Sequence, residues 1–205
     1  RAGGALDGVC VEADFLPVLI NRPLYSNFLA MPALLCLLGG LGALLLGFLW
    51  LDGQIEPVVP YFAIASALLG LGFALVLWNL GRTLIACRPL PLPARFVFVG
   101  LASVAFTVML GIVFALVRGG MVYSPYLVDL ATQGVPLHAV ARLGGWLTFC
   151  AMGVSYRLFA MFMLAPELER RGTRIALHLG ACALVVAVPG GVIAIWAGWH
   201  LDAIL

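Results

Sequence analysis

The chain has 205 residues, of which 64% are hydrophobic and only 10% are charged. A soluble domain carries roughly 25% charged residues, and it needs a polar surface that this sequence cannot supply. The composition therefore excludes a soluble globular protein and predicts an integral membrane protein. The net charge is +2, and no basic cluster lies outside the loops that flank apolar stretches. Nothing in this charge pattern points to nucleic acid as a partner.

Five stretches are apolar and long enough to cross a bilayer, which takes about 20 residues of helix. We predict spans at residues 28–51, 58–81, 96–117, 138–164 and 175–200. The expected fold is an all-α bundle of five transmembrane helices, forming one domain over residues 28–205. Residues 1–27 are mixed in character, and Pro17 and Pro23 limit any helix there, so an interfacial or irregular lead-in is expected. The loop 118–137 alternates apolar and polar residues, which predicts a short helix at the membrane surface.

Small residues recur at every fourth position in the first two spans. They are Gly39, Ala43 and Gly47 in the first span, and Ser66, Gly70 and Ala74 in the second. This spacing lets neighbouring membrane helices approach closely. In the fifth span Pro189 precedes Gly190 and Gly191, and this predicts a kink.

The arginines predict the orientation of the chain. With five spans, the N-terminus and two of the loops share one side of the membrane, and they hold eight arginines: Arg1, Arg22, Arg82, Arg88, Arg95, Arg170, Arg171 and Arg174. The other side holds only Arg118. Because arginine is enriched in cytoplasmic loops, we predict a cytoplasmic N-terminus and an outside C-terminus.

The fourth predicted span carries polar side chains that are costly in a bilayer. On a helix that turns 100° per residue, seven residues of this span lie within about 40° of one line along the helix surface. They are His138, Arg142, Gly145, Phe149, Met152, Tyr156 and Met163. We expect this stripe to face protein rather than lipid.

Two histidines suggest a cofactor. His138 opens the fourth span and His200 closes the fifth, and a short loop should make these helices antiparallel neighbours. The two side chains are then matched in depth, as candidate axial ligands of a haem b whose propionates would suit Arg142. The alternative is that each histidine caps a helix end or binds lipid headgroups at the water interface.

Arg142 and Arg157 also allow two interpretations. An arginine at the centre of a span costs about 2.5–3.5 kcal/mol on insertion scales. Both lie within about two turns of an end, so each can reach headgroups by snorkelling or bind a lipid phosphate. The alternative is an anionic partner: a haem propionate, a cardiolipin headgroup or an acidic residue of another subunit.

Elsewhere the sequence gives little support for a metal site. His178 is too far from the other two histidines to join them, although a pair with Met161 or Met163 is conceivable. On a helix those two methionines point in different directions, and core packing explains them as well. The five cysteines include no CxxC pair, so neither a zinc site nor a disulfide framework is indicated.

Residues 137–167 follow a recognisable order: a His at the head of a span, then Gly-Trp, then Gly-x-x-Tyr, then a Met-Phe ending. The residues concerned are His138, Gly145–Trp146, Gly153 with Tyr156, and Met161–Phe162. This segment resembles one in bacterial membrane proteins related to haem-copper oxidase subunit I, with Val140 and Ala160 in place of a second His and a Pro. The resemblance implies a haem-associated redox membrane protein with His138 as a candidate ligand. The three-His copper centre of the oxidases cannot be assembled from this chain.

No nucleotide-binding, metalloprotease or serine-hydrolase motif occurs, and every Asp and Glu lies in a loop or terminus. We therefore expect no enzyme activity from the chain alone. The leading hypothesis is a non-catalytic subunit of an electron-transfer complex in a bacterial cytoplasmic membrane, in contact with lipid and other membrane subunits. Haem b would lie between the fourth and fifth spans, with His138, His200, Arg142 and Tyr156 as its binding residues. The alternatives are a structural or lipid-binding scaffold without cofactor and, third, a small transporter.

Overall fold

The computed structural model describes residues 24–56, 58–86, 89–163 and 171–198. Its long helices are α1 (Ala30–Leu51), α2 (Tyr61–Ile85), α3 (Leu92–Arg118), a fourth span (Val135–Phe162) and α7 (Arg171–Trp196). A short helix, α4 (Pro125–Gln133), precedes the fourth span. The fourth span itself consists of α5 (Val135–Ala139), a π-helical segment (Val140–Leu147) and α6 (Thr148–Phe162).

All five long helices are long and apolar enough to cross a bilayer, and the described residues contain no strand. The prediction of an all-α fold with five membrane spans is confirmed, and the chain is an integral membrane protein. The predicted orientation of the termini and the predicted lead-in stay predictions. Most of residues 1–27 lies outside the described ranges.

The loop between α2 and α3 is shorter than predicted. We predicted spans that end at residue 81 and begin at residue 96, yet α2 continues to Ile85 and α3 begins at Leu92. Pro91 is the N-cap of α3 and Pro93 lies in its first turn. Proline is tolerated there because the first backbone N–H groups of a helix have no partner within the helix.

The short helix predicted in the loop 118–137 is present as α4. Pro125 begins it, and Leu130 and Ala131 are buried against the rest of the protein. The indole Nε1 of Trp196, the last residue of α7, donates a hydrogen bond to the Tyr126 carbonyl oxygen at 3.3 Å. This bond joins α4 to the end of the fifth span. Its predicted position at the membrane surface stays a prediction.

The first four spans follow one another as neighbours. α1 packs on α2, α2 on α3, and α3 on the fourth span, while α7 packs on α4 and on the π-helical segment. α1 has no comparable contact with any other long helix among the described residues. Within the described ranges, α1 is therefore covered by this chain on one side only.

The contact between α1 and α2 corrects the predicted small-residue ridges. The buried side of α1 consists of Ala33, Gly40, Ala43 and Gly47, whereas Gly39 is exposed. On α2, Ser66 is buried, Gly70 is half-buried and Ala74 is exposed. A strict four-residue step turns about 40° further around the helix each time. Alternating steps of three and four keep a stripe facing its neighbour.

Two buried clusters lie on either side of the middle of α3. One joins α3 to the fourth span and the start of α7 through Leu92, Phe96, Phe149 and Leu177. The other joins α3, α4, the fourth span and the later part of α7 through Leu110, Leu130, Leu137, Ala141, Val188 and Ile195. These clusters fix which side of the fourth span is covered and which side is open.

Candidate functional site

His138 faces α3 from inside the bundle. Its ring lies 5.6 Å from the Phe114 ring, centroid to centroid, at an angle of 50°. A Cβ at Gly111 would lie 3.4 Å from the imidazole Cε1, so this glycine makes room for the ring. The Nδ1 atom of His138 is buried and has no hydrogen-bond partner among the described residues. The imidazole thus packs against the Phe114 ring inside the bundle, and its Nδ1 has no hydrogen bond to the described residues.

The space between the fourth span and α7 is filled by aliphatic side chains. Leu137 packs on Gly191, where a Cβ would lie 2.5 Å from the leucine Cδ2. Ala141 and Val188, both almost fully buried, complete the contact. Among the described residues, these side chains form the contact between the fourth span and α7.

The described part of α7 stops short of the second predicted haem ligand. α7 ends at Trp196 rather than at residue 200, and Gly198 has a φ of 79°. Glycine in this left-handed conformation commonly terminates helices. His200 lies outside the described residues, so haem b stays a prediction.

The π-helical segment forms around a side chain of the neighbouring helix. The Ser103 hydroxyl of α3 donates a hydrogen bond to the Ala141 carbonyl oxygen at 2.6 Å. Gly145 lies directly against Ser103, and a Cβ added there would overlap the serine side chain. Thr148 donates to the Leu143 carbonyl five residues earlier at 2.7 Å. π-helical turns are rare, and a side chain inserted into the backbone ladder is one cause of such irregularity.

This segment changes which residues share a face. A π turn holds more residues than an α turn, so the chain rotates by less than 100° per residue. The buried line of the fourth span is Leu137, Ala141, Gly145, Phe149 and Gly153. Of the seven residues in the predicted stripe, Gly145 and Phe149 are buried and His138 is half-buried. The other four are exposed, so this chain covers only part of the stripe, and the prediction that all seven face protein stays a prediction.

Arg142 is exposed, and it lies deeper in its helix than the sequence indicated. The helix begins at Val135, which places Arg142 seven residues inside, or about 10 Å along the axis. Its guanidinium is close enough to His138 for an electrostatic interaction. No described carboxylate forms an ion pair with it. The chain itself therefore offers Arg142 a neighbouring imidazole and no described counter-charge.

Tyr156 lies at the other end of the fourth span. Its ring is 5.6 Å from that of Phe96, and its hydroxyl is 3.3 Å from Thr173 Oγ1 on α7. Fourteen residues separate it from Arg142, which corresponds to about 21 Å of helix. The structure thus brings His138 and Arg142 together and does not bring Tyr156 to them.

A groove of about 560 Å³ runs along the open face of the fourth span. Its lining residues are Leu147, Thr148, Ala151, Met152, Ser155, Tyr156 and Phe159. Three of them carry hydroxyl groups. Gly144, about one turn before the start of the groove, is exposed, and the nearest side-chain atom to a Cβ there would be Val140 Cγ1 at 3.9 Å. The face is therefore open to close approach by another helix.

The remaining metal hypothesis concerned His178. Its Nδ1 lies 2.6 Å from the Arg174 carbonyl oxygen of its own helix, and the side chain is exposed. Met161 and Met163 are exposed as well. Within the described ranges, no group of three or more His, Cys, Asp or Glu side chains is placed to hold a metal ion.

Sequence reasoning missed a polar cluster where the lead-in meets the end of α2. Asn79 accepts a hydrogen bond from the Ser26 backbone N–H at 2.9 Å and donates one to the Ser26 carbonyl at 2.8 Å. Thr83 accepts a third from the Tyr25 backbone N–H at 3.0 Å. Both α2 side chains are buried. An Asn inside an apolar span is the signal that could have revealed this contact.

No protein-family model, characterised protein or solved structure matches this chain. Any functional assignment therefore rests on the geometry of the fourth span and on the residues of its neighbours.

Proposed function

We propose that this chain is a non-catalytic membrane subunit of an electron-transfer complex, and that it meets its partner through the open face of the fourth span. The observation that carries the proposal is the exposed Arg142, about 10 Å inside a membrane helix. An arginine at such a place is destabilising in lipid, by about 2.5–3.5 kcal/mol at the centre of a span. A counter-charge or acceptor on a neighbouring chain would offset that penalty.

The exposed surface of the fourth span has a second feature that suits a protein neighbour, on a different side of the helix from Arg142. Gly144 and the hydroxyl-bearing groove allow close approach and offer hydrogen bonds, which are the two features that hold membrane helices together. The covered side of the fourth span is occupied by α3 and α7 of this chain. A partner can therefore reach the fourth span on its exposed surface, which includes both Arg142 and the groove.

The experiment compares the size of the native complex, extracted in mild detergent, between wild type and Arg142→Gln. We expect the variant to release its partner, while Arg118→Gln, which alters an exposed arginine at a helix end, leaves the complex intact. A complex of unchanged size in Arg142→Gln would contradict the proposal.

The assignment to electron transfer rests on the resemblance of residues 137–167. Haem b, with His138 and His200 as ligands and Arg142 near a propionate, is its testable part. A reduced-minus-oxidised spectrum of the purified complex should show haem bands that are lost in His138→Ala and kept in His178→Ala. His178 is the matched control because it bonds its own helix at an exposed position.

A structural scaffold without cofactor is the second candidate, and the packing of Leu137 on Gly191 favours it. This contact fills part of the space between the fourth span and α7 with aliphatic side chains. A complex that dissociates in Arg142→Gln but shows a flat visible spectrum would identify the scaffold.

A further inference from the structure

Arg82 lies between two aromatic rings at the end of α2. Its guanidinium carbon is 5.2 Å from the centroid of the Tyr25 ring and 5.8 Å from that of Trp78. Both distances are within the range of cation–π attraction. Trp78 precedes Arg82 by one helical turn, whereas Tyr25 reaches it from the lead-in before α1.

The aromatic pair is held in place by the buried cluster beneath it. The Tyr25 backbone is bonded to Thr83, and the next residue, Ser26, is bonded twice to Asn79. Asn79 and Thr83 are only 5% and 3% exposed, so these bonds are shielded from water. The ring of Tyr25 is thereby fixed beside Arg82 before any ligand arrives, which lowers the entropic penalty of binding.

The arrangement leaves the edge of the guanidinium available. Cation–π attraction to the two rings uses none of its N–H donors, and the five donors lie in the guanidinium plane. No described carboxylate pairs with Arg82, and the side chain is exposed. Planar arginine donors match the oxygens of a phosphate. Tyr25 and Trp78 are 54% and 59% exposed at the end of an apolar helix, where aromatic residues lie at headgroup depth.

We propose that Arg82, Tyr25 and Trp78 form a binding site for a phosphate group, supplied by the headgroup of an anionic phospholipid. The site is separate from the open face of the fourth span and does not depend on the proposed function. A soluble phosphate ester has the same chemistry, and the experiment distinguishes the two sources.

The test measures retention of phosphatidylglycerol against phosphatidylcholine on the purified full-length chain by native mass spectrometry. We expect Arg82→Gln to lower phosphatidylglycerol affinity about five-fold, because one arginine near a membrane surface contributes on that order. Arg118→Gln is the matched control. Arg118 is also exposed and in the last turn of a span, but it lies at the opposite end of the bundle from Arg82. It should change affinity less than two-fold on the same scale.

Two further variants separate the site from folding. Tyr25→Leu and Trp78→Leu keep the charge and remove one ring each, and both should weaken phosphatidylglycerol binding while thermal unfolding stays as in wild type. Displacement of the bound lipid by millimolar inorganic phosphate would identify a soluble phosphate ester as the ligand. Equal affinity for the two lipids in wild type, or equal losses in Arg82→Gln and Arg118→Gln, would overturn the proposal.

Discussion

The contact between α1 and α2 and the contact between α3 and the fourth span both depend on glycine, but in different ways. In the first, side chains fill the space above glycines on the facing helix. A Cβ at Gly40 would lie 2.7 Å from Leu69 Cγ, and one at Gly72 would lie 2.8 Å from Leu37 Cγ. Both helices stay regular, and the contact involves apolar groups.

In the second contact, glycine admits a polar group and the helix changes its hydrogen bonding. Gly145 leaves room for Ser103, whose hydroxyl bonds the Ala141 carbonyl. The result is a π-helical segment that alters which residues face outward. Apolar packing therefore preserves the periodicity of a membrane helix, whereas a polar side chain inserted between its backbone groups can shift that periodicity.

The largest effect is expected when the second contact is obstructed. Gly145→Ala places a Cβ on the Ser103 side chain, and overpacking of this kind costs about 1–3 kcal/mol; we expect the upper end because the serine is buried on α3. Thermal unfolding in detergent measures the loss. Gly144→Ala is the matched control, because its Cβ would meet open space. Equal stability of the two variants would contradict the close contact between Gly145 and Ser103.

The first contact should respond less strongly to the same change. Gly40→Ala brings a Cβ to 2.7 Å from Leu69 Cγ and 2.9 Å from the Leu69 backbone nitrogen, with an expected cost of about 1–2 kcal/mol since two regular helices can separate slightly. Gly42→Ala, with no atom within 4 Å of its Cβ, should unfold like wild type. A loss in Gly40→Ala larger than that in Gly145→Ala would reverse the comparison.

Removing the Ser103 hydroxyl should lower the free energy of unfolding by less than either glycine substitution. Ser103→Ala deletes the bond to Ala141, and interhelical hydrogen bonds in membranes average about 0.6 kcal/mol, with values up to about 1.7. We expect about 1 kcal/mol in the unfolding free energy and faster hydrogen exchange in residues 140–147. Thr107→Val serves as control because that hydroxyl bonds the Ser103 carbonyl of its own helix at 2.9 Å. Unchanged exchange in Ser103→Ala would show that the π-helical segment does not depend on the serine.

The smallest global effect is expected at the lead-in. Asn79→Leu removes two bonds to Ser26, and we expect faster amide exchange at Tyr25 and Ser26 with little change in the unfolding temperature, since no helix loses its packing. Ser66→Ala is the control, because its buried hydroxyl bonds only the Phe62 carbonyl of its own helix. Amide exchange at Tyr25 and Ser26 that stays slow in Asn79→Leu would contradict the role of the Asn79–Ser26 hydrogen bonds.

Hydropathy was sufficient to predict the five spans because length and apolar content alone determine which segments can cross a bilayer. Two kinds of detail could not be predicted that way. A proline in the first turn of a helix and a proline in a loop look alike in sequence, so the start of α3 was predicted four residues too late. Arg142 lies in a π-helical segment that Ser103 contacts from another helix, and no spacing within the fourth span reveals that segment.

The candidate site was only partly predictable for the same reason. His138 and Arg142 are one helical turn apart and remain neighbours in the structure. Tyr156 was aligned with them by assuming 100° per residue across a segment that is π-helical. The cluster at Asn79 depends on a contact between residues more than 50 positions apart, which periodicity within one span cannot show.

The most direct test of the partner surface is photo-crosslinking in the native membrane. A benzophenone side chain replaces Trp146, which is exposed beside Gly145 on the fourth span, or Phe48, which is exposed on α1. We expect a protein adduct from position 146 that disappears in Arg142→Gln, whatever position 48 yields. Lipid adducts alone from position 146 would contradict the proposed partner surface.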